Sequence, residues 1–153
     1  MSNSPSVAVL LAAYNGMEWI EEQVSSILSQ KSISIEIFIS VDLSNDKTHE
    51  WCQGLAGKNA HVKVLPYGEK FGGAAKNFFR LIRDVDFSCF DYVALSDQDD
   101  IWDSSKLHHA IRTIEQDSLD GYSSDVIAFW SNGREKLVKK SFPQKKFDYF
   151  FEA

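Results

Sequence analysis

Cysteine is scarce in this chain. Cys52 and Cys89 are the only two among 153 residues, and no C-x-x-C pair exists. That argues against a disulfide framework or a redox pair, and both are expected as buried, reduced thiols of a cytosolic protein. Long apolar runs are also missing. None approaches the roughly 20 residues that a membrane-spanning helix needs. The N-terminus, Met-Ser-Asn-Ser-Pro, has no basic segment ahead of an apolar stretch, so it does not read as a signal peptide. Positive charge is outnumbered: 16 Lys and Arg face 22 Asp and Glu, a net charge of −6. Indiscriminate nucleic-acid binding is therefore excluded. No internal repeat or low-complexity segment is present. What remains is a soluble globular composition, 44% apolar. The length fits a single domain, 1–153, with a real core.

Strand and helix signals alternate. Val7-Ala8-Val9-Leu10-Leu11-Ala12-Ala13 is a continuous apolar run, as in a strand covered on both faces. Tyr14-Asn15-Gly16 breaks it. A helix is expected over 18–29, burying Ile20, Val24, Ile27 and Leu28 on one face, with acids in its first turn. Residues 33–41 alternate as a strand. Asp42 to Asp46 form a loop, and Asp46 can cap a helix over 47–55. A strand at 62–65 leads into a loop containing Gly68, Gly72 and Gly73, whose glycines permit close backbone approach. A helix over 74–83, a strand over 92–95, a helix over 104–116 (Leu107, Ile111 and Ile114 inward) and a strand over 126–130 complete the pattern. The alternation predicts an α/β fold with a mostly parallel sheet flanked by helices. Ligands of such sheets bind beyond the carboxyl ends of the strands. Tyr14-Asn15, Asp42 and Asp97-Gln98-Asp99 all follow strands, so all are expected to face one crevice.

The segment Ser96-Asp97-Gln98-Asp99-Asp100-Ile101-Trp102 carries the sharpest chemistry. Carboxylates gathered at a strand end are costly to ionise unless a cation joins them. Carboxylate oxygens suit Mg²⁺ or Mn²⁺, and Mg²⁺ commonly combines one or two carboxylates with substrate phosphates. The pattern points to a metal-bound diphosphate. The same acids would also serve as a solvated turn or helix cap. An EF-hand calcium loop is excluded, because its Gly and closing Glu are absent. Adjacent His108 and His109 point different ways on a helix, and His49 and His61 have no partner at ligand spacing, so all four read as surface or cap residues.

Four landmarks in order resemble the family 2 inverting glycosyltransferases, and most closely their bacterial rhamnosyltransferase-like branch. Ala12-Ala13-Tyr14-Asn15-Gly16 is similar to the end of the family's first strand. Val41-Asp42-Leu43-Ser44-Asn45-Asp46-Lys47-Thr48 resembles its D-D-G-S-x-D-x-T loop. Gly72 with Asn77-Phe78 resembles its N-x-G-x-x-x-N-F segment. Asp97-Gln98-Asp99-Asp100-Ile101-Trp102 with Lys106-Leu107 resembles a D-Q-D-D-x-W-x-x-x-K-L form of its D-x-D motif. Val41 and Leu43 depart from the second landmark, which leaves the shape of that loop open.

The resemblance implies a GT-A fold, a UDP- or dTDP-sugar donor, a Mg²⁺ or Mn²⁺ ion and a glycan or lipid-linked acceptor. It implies that Ala13 and Tyr14 frame the base and that Asp42 accepts from it. Asn15, Gly72, Asn77 and Gln98 join them at the donor. Asp97 falls near ribose and metal, Asp99 is the main metal ligand, and Asp100 assists through water. Trp102 is architectural, and Lys106 balances the acids. Tyr14 as a packed aromatic and Asp42 as a turn former stay open. Lys70 as a phosphate contact is read from its charge alone.

The family's catalytic base lies well beyond the D-x-D motif, and no residue here matches it. The chain is expected to be a donor-binding part that binds nucleotide with metal but transfers sugar poorly. A rival reading, a sugar-nucleotide nucleotidyltransferase, calls for a basic Gly-rich loop after the first strand, whereas Asn15-Gly16-Met17-Glu18 has no Lys or Arg. A second rival is a non-catalytic nucleotide-binding or scaffold module. The tail (Arg134, Lys136, Lys139, Lys140, Lys145, Lys146, then Phe147, Tyr149, Phe150, Phe151) fits either peripheral contact with an anionic membrane or a solvated edge strand. Apolar surface left exposed would favour homo-oligomers.

Overall fold

The computed structural model describes residues 4–139. The chain divides into two compact units, residues 1–109 and 110–153. In the first, strands β1 (Ser6–Ala13), β2 (Ser34–Val41), β3 (Val62–Val64) and β4 (Tyr92–Ser96) form one sheet in the order β3-β2-β1-β4. Every neighbouring pair is parallel. Helices α1 (Ile20–Leu28), α2 (Thr48–Ala56) and α3 (Ala74–Asp84) alternate with the strands, and α4 (Lys106–Asp117) follows β4. This is the α/β architecture that the alternation predicts.

The apolar run of β1 places it at the sheet centre. Val7 to Ala13 are all buried. Ala8, Leu10 and Ala12 form a cluster with Phe38, Leu65, Leu81 and Val85, joining α3 to one face of the sheet. Val9, Leu11, Ile37 and Ile39 are fully buried on the alternate positions. Each such aliphatic contributes about 1.5–3 kcal/mol when removed from water. Strand order reverses at β1, with β2 and β3 on one side and β4 on the other. The register aligns Ala13 with Val41 and Leu11 with Ser96, so three strands end nearly level. A crevice is expected where the order reverses.

Several expectations are corrected. Helix α1 starts at Ile20, not residue 18, because the Gly16 carbonyl first accepts from the Trp19 and Ile20 N–H groups in a turn. Leu28 is 36% exposed, and Gln23 takes its place on the buried face. Cys52 is buried as expected, but Cys89 is exposed. In the second unit, β5 (Val126–Phe129) pairs antiparallel with β6 (Glu135–Val138) in a separate two-stranded sheet. The signal for that hairpin was present: Asn132-Gly133 sits between the strands, and Gly133 has φ 80°. Arg134 lies 5.0 Å from the centre of the Trp130 ring. Lys140, Lys145, Lys146, Phe147, Tyr149, Phe150 and Phe151 lie outside the described residues. No described helix is long and apolar enough to cross a membrane.

Candidate functional site

A cleft of about 560 Å³ opens at the carboxyl ends of the parallel strands. It is lined by Ala12, Ala13 and Tyr14 after β1, Asp42 after β2, and Asp97, Gln98 and Asp99 after β4, facing Lys70, Gly72, Gly73, Ala74 and Asn77. The residues assigned to the donor or metal from sequence therefore meet in one place, except Asn15 and Asp100, which do not line the cleft. Asn15 sits one position beyond Tyr14 at φ 46°, a conformation Asn tolerates, and its side-chain oxygen accepts from the Asn45 N–H at 2.9 Å.

The turn after β1 is fully tied. Its four successive N–H groups donate to side chains: Tyr14 to Gln98 Oε1 (2.6 Å), Asn15 to Ser44 Oγ (3.0 Å), Gly16 to Thr48 Oγ1 (2.7 Å) and Met17 to Asp46 Oδ2 (3.1 Å). Ser44, Asp46 and Thr48 belong to the D-x-S-x-D-x-T loop, so the spacing of that motif matches the spacing of the amides it satisfies. Asp46 Oδ1 also accepts from the Thr48 N–H (2.9 Å) and hydroxyl (2.5 Å) at the start of α2. These amides are not available to cradle a phosphate.

Asp42 organises the opposite wall. Only 4% of the residue is exposed. Its Oδ1 accepts from the Leu43 and Phe71 N–H groups, each at 2.7 Å, and its Oδ2 from Gly72 at 2.9 Å. Burial pushes this carboxyl up, but the backbone donors of Phe71, Gly72, Leu43 and Gly73 outweigh burial and hold it below the ordinary carboxylate value. A carboxylate offers about four acceptor positions, and these backbone donors engage most of them, which fixes the carboxylate in place at the cleft wall. Gly72 (φ 74°) and Gly73 (φ 155°) supply the backbone that lets the loop return to Asp42.

Beneath the cleft lies a buried polar network. The Asn77 side-chain nitrogen donates to the carbonyls of Ala13 (3.3 Å) and Ser40 (2.9 Å), while its oxygen accepts from the Ser40 hydroxyl. Asn77 thus lines the cleft with its polar atoms turned to the strand ends. Arg80, 6% exposed, donates to Ser40 Oγ (3.0 Å), the Pro66 carbonyl (2.6 Å) and Asp84 (3.3 Å), with its guanidinium 5.1 Å from the Phe71 ring centre. Sequence reasoning missed Arg80 and Ser40. The available signal was Asn77, Arg80 and Leu81 at helical spacing on the inner face of α3.

The acidic motif is braced from α1 by two buried glutamines that sequence reasoning also missed. Gln23 accepts from Ser96 Oγ (2.6 Å) and the Trp102 indole N–H (3.2 Å), and donates to Ser26 Oγ and the Asp100 carbonyl, in the amide orientation that satisfies all four. Gln30 donates to the Asp103 carbonyl (2.6 Å) and accepts from the Leu107 N–H (2.9 Å). Trp102 is buried, and Lys106 Nζ sits 4.6 Å from its ring centre.

Asp97 and Asp99 remain exposed in the cleft. The protein packed around the cleft partly desolvates Asp97 although it still reaches solvent, and this, then the charges of Asp100 and Asp99, pushes its carboxyl up. Burial also raises Asp100, Lys106 opposes, and Asp99 adds to the rise. Among the described residues no basic side chain opposes the rise at Asp97, and paired carboxylate oxygens of this kind suit a hard divalent ion. No cluster of three or more protein ligands exists among the described residues.

A parallel α/β domain with an acid-lined cleft at the strand-order reversal defines the class of nucleotide-binding GT-A folds. The family model for glycosyl transferase family 2 matches residues 8–152, and the chain belongs to that family. It is 49% identical over 144 residues to a dTDP-rhamnosyl transferase of Shigella flexneri, covering 94% of this chain and 50% of the relative. The chain thus spans about half the length of that curated relative. The fold is shared with Staphylococcus aureus TarS 1–349 in complex with UDP (TM-score 0.61, 18% identity, covering 84% of this chain and 43% of that one). It is shared too with a Pyrobaculum calidifontis mannosyltransferase in complex with GDP-Man and Mn²⁺ (TM-score 0.59, 21% identity, 71% and 32%).

Proposed function

We propose that this chain is the donor-binding part of an inverting, metal-assisted glycosyltransferase acting on a nucleotide-diphospho-sugar. The observation that carries the reading is the convergence of Tyr14, Asp42, Asp97 and Asp99 on one cleft. Tyr14 presents a flat, 54% exposed ring for the base, and the ionised Asp42 lines the cleft beside it as the acceptor for a base N–H. Asp99, with Asp97, would hold Mg²⁺ or Mn²⁺ through carboxylate oxygens. Bound there, the ion supplies charge neutralisation to a departing diphosphate. Lys70 faces the same space and adds positive charge.

The donor we favour is a dTDP-sugar, with rhamnose the preferred sugar, on the strength of the 49% identical relative's name. The acceptor is a growing surface polysaccharide or a lipid-linked glycan. A nucleotidyltransferase is disfavoured, because the β1 turn has no free amide and no basic residue for a triphosphate.

Calorimetry with dTDP, UDP, GDP and the matching triphosphates, each with and without Mn²⁺, tests the reading. Mn²⁺-dependent diphosphate binding, tightest for dTDP, is expected. A triphosphate preference, or no binding at all, would sink it.

A further inference from the structure

Gln98 occupies the middle of the acidic motif, where a donor contact would be the simple assignment. Its side chain is engaged elsewhere. Oε1 accepts from the Tyr14 N–H at 2.6 Å, and Nε2 donates to the Tyr14 carbonyl at 2.8 Å. The amide therefore pairs with both backbone groups of one residue, as a neighbouring strand would. Strands β1 and β4 are paired only as far as Leu11 with Ser96, so this clasp continues their pairing past the strand ends through a side chain.

The approach is possible because residue 16 is glycine. A Cβ at Gly16 would lie 2.4 Å from Gln98 Oε1 and 2.8 Å from its Cδ, well inside contact distance. Gly16 has no positive φ, so its conformation does not itself demand glycine. Space for the Gln98 amide is what it provides. The obstructing atoms are the end of a flexible side chain, so an alanine would evict the amide and leave the backbone in place.

We infer that Gln98 and Gly16 form a positioning device: they fix the Tyr14 ring relative to Asp97 and Asp99, holding base and diphosphate subsites at a set separation. The inference rests on the donor-site reading above. Neither residue needs to touch the donor. Loss of these two hydrogen bonds is expected to weaken a ligand that bridges both subsites roughly tenfold. A ligand confined to one subsite gains little.

The test uses Gln98→Ala, Gly16→Ala and the double variant of the full chain. Each single variant is expected to weaken dTDP with Mn²⁺ about tenfold, while thymidine alone changes less than about threefold. The double variant should match the singles, because either change already removes the clasp. A product near a hundredfold, or singles within twofold of the parent, overturns the proposal. Amide exchange at Tyr14 without ligand provides the independent arm. It should accelerate in both single variants, and unchanged protection refutes the clasp whatever the nucleotide result. Normal Tyr14 exchange behaviour with no dTDP binding by the parent would instead defeat the donor-site reading, and the positioning role with it.

Discussion

Replacing Asp42 by Asn tests whether the cleft wall is held as described. The substitution keeps the shape of the side chain. Its single oxygen can still accept from Leu43 and Phe71, but its amide nitrogen then faces the Gly72 N–H, donor against donor. One charge-assisted bond is lost, worth about 1.5–3 kcal/mol, and two others weaken to neutral strength. The total expected loss is about 3 kcal/mol. In urea this lowers the unfolding midpoint by about 1.5 M for a domain of this size. The pH dependence has a definite sign. The folded carboxyl lies below its ordinary value, so its contribution is complete above about pH 4 and is lost as pH falls through the depressed folded value. The gap between parent and variant should therefore be widest near neutrality and close below pH 4. Equal midpoints at pH 7, or a gap that grows toward acid, would refute the reasoning.

Three further outcomes follow from the same geometry. Burial, with the Asp46 charge adding to it, pushes the Cys52 thiol up to about 12, whereas Cys89 is exposed. A thiol reagent at pH 8 should label Cys89 alone in the native protein and both after denaturation. Asn77→Ala removes a donor from the Ala13 and Ser40 carbonyls and the acceptor of the Ser40 hydroxyl, and should cost about 2 kcal/mol by thermal unfolding. Exposed Lys70→Ala should leave stability unchanged but weaken diphosphate binding several-fold, as measured by calorimetry.

The central strands were legible because β1 carries an unbroken apolar run, as in a strand buried on both faces, and β2 a period-two alternation. The site was legible in outline because its residues sit immediately after strands, where topology alone brings them together. What could not be read was the division of labour within it. The family resemblance put Asn77 and Gln98 at the donor, and while both line the cleft, their amides bond to backbone groups of the strand ends and the β1 turn. Helical spacing puts Arg80 on the inner face of α3 and Gln23 on that of α1, but the partners of Arg80, Gln23 and Gln30, from Ser40 to Leu107, are distant in sequence and no local period names them. The exposure of Cys89 and Leu28 depends on which neighbours cover a surface, which periodicity does not encode. The β5–β6 hairpin had a local signal in Asn132-Gly133, and an expectation of parallel pairing overrode it.

The proposed donor site is one cleft that gathers the end of β1, Asp42 and the acidic motif around a metal-bound diphosphate. Paramagnetic broadening by Mn²⁺ in the presence of dTDP maps that place directly in the NMR spectrum. Signals from Ala13, Tyr14, Gly72 and Asn77 should broaden, those of Cys89 should not, and Asp99→Asn should remove the effect. Broadening centred instead on the glutamates of the α1 groove, Glu18, Glu21 and Glu22, would contradict the account.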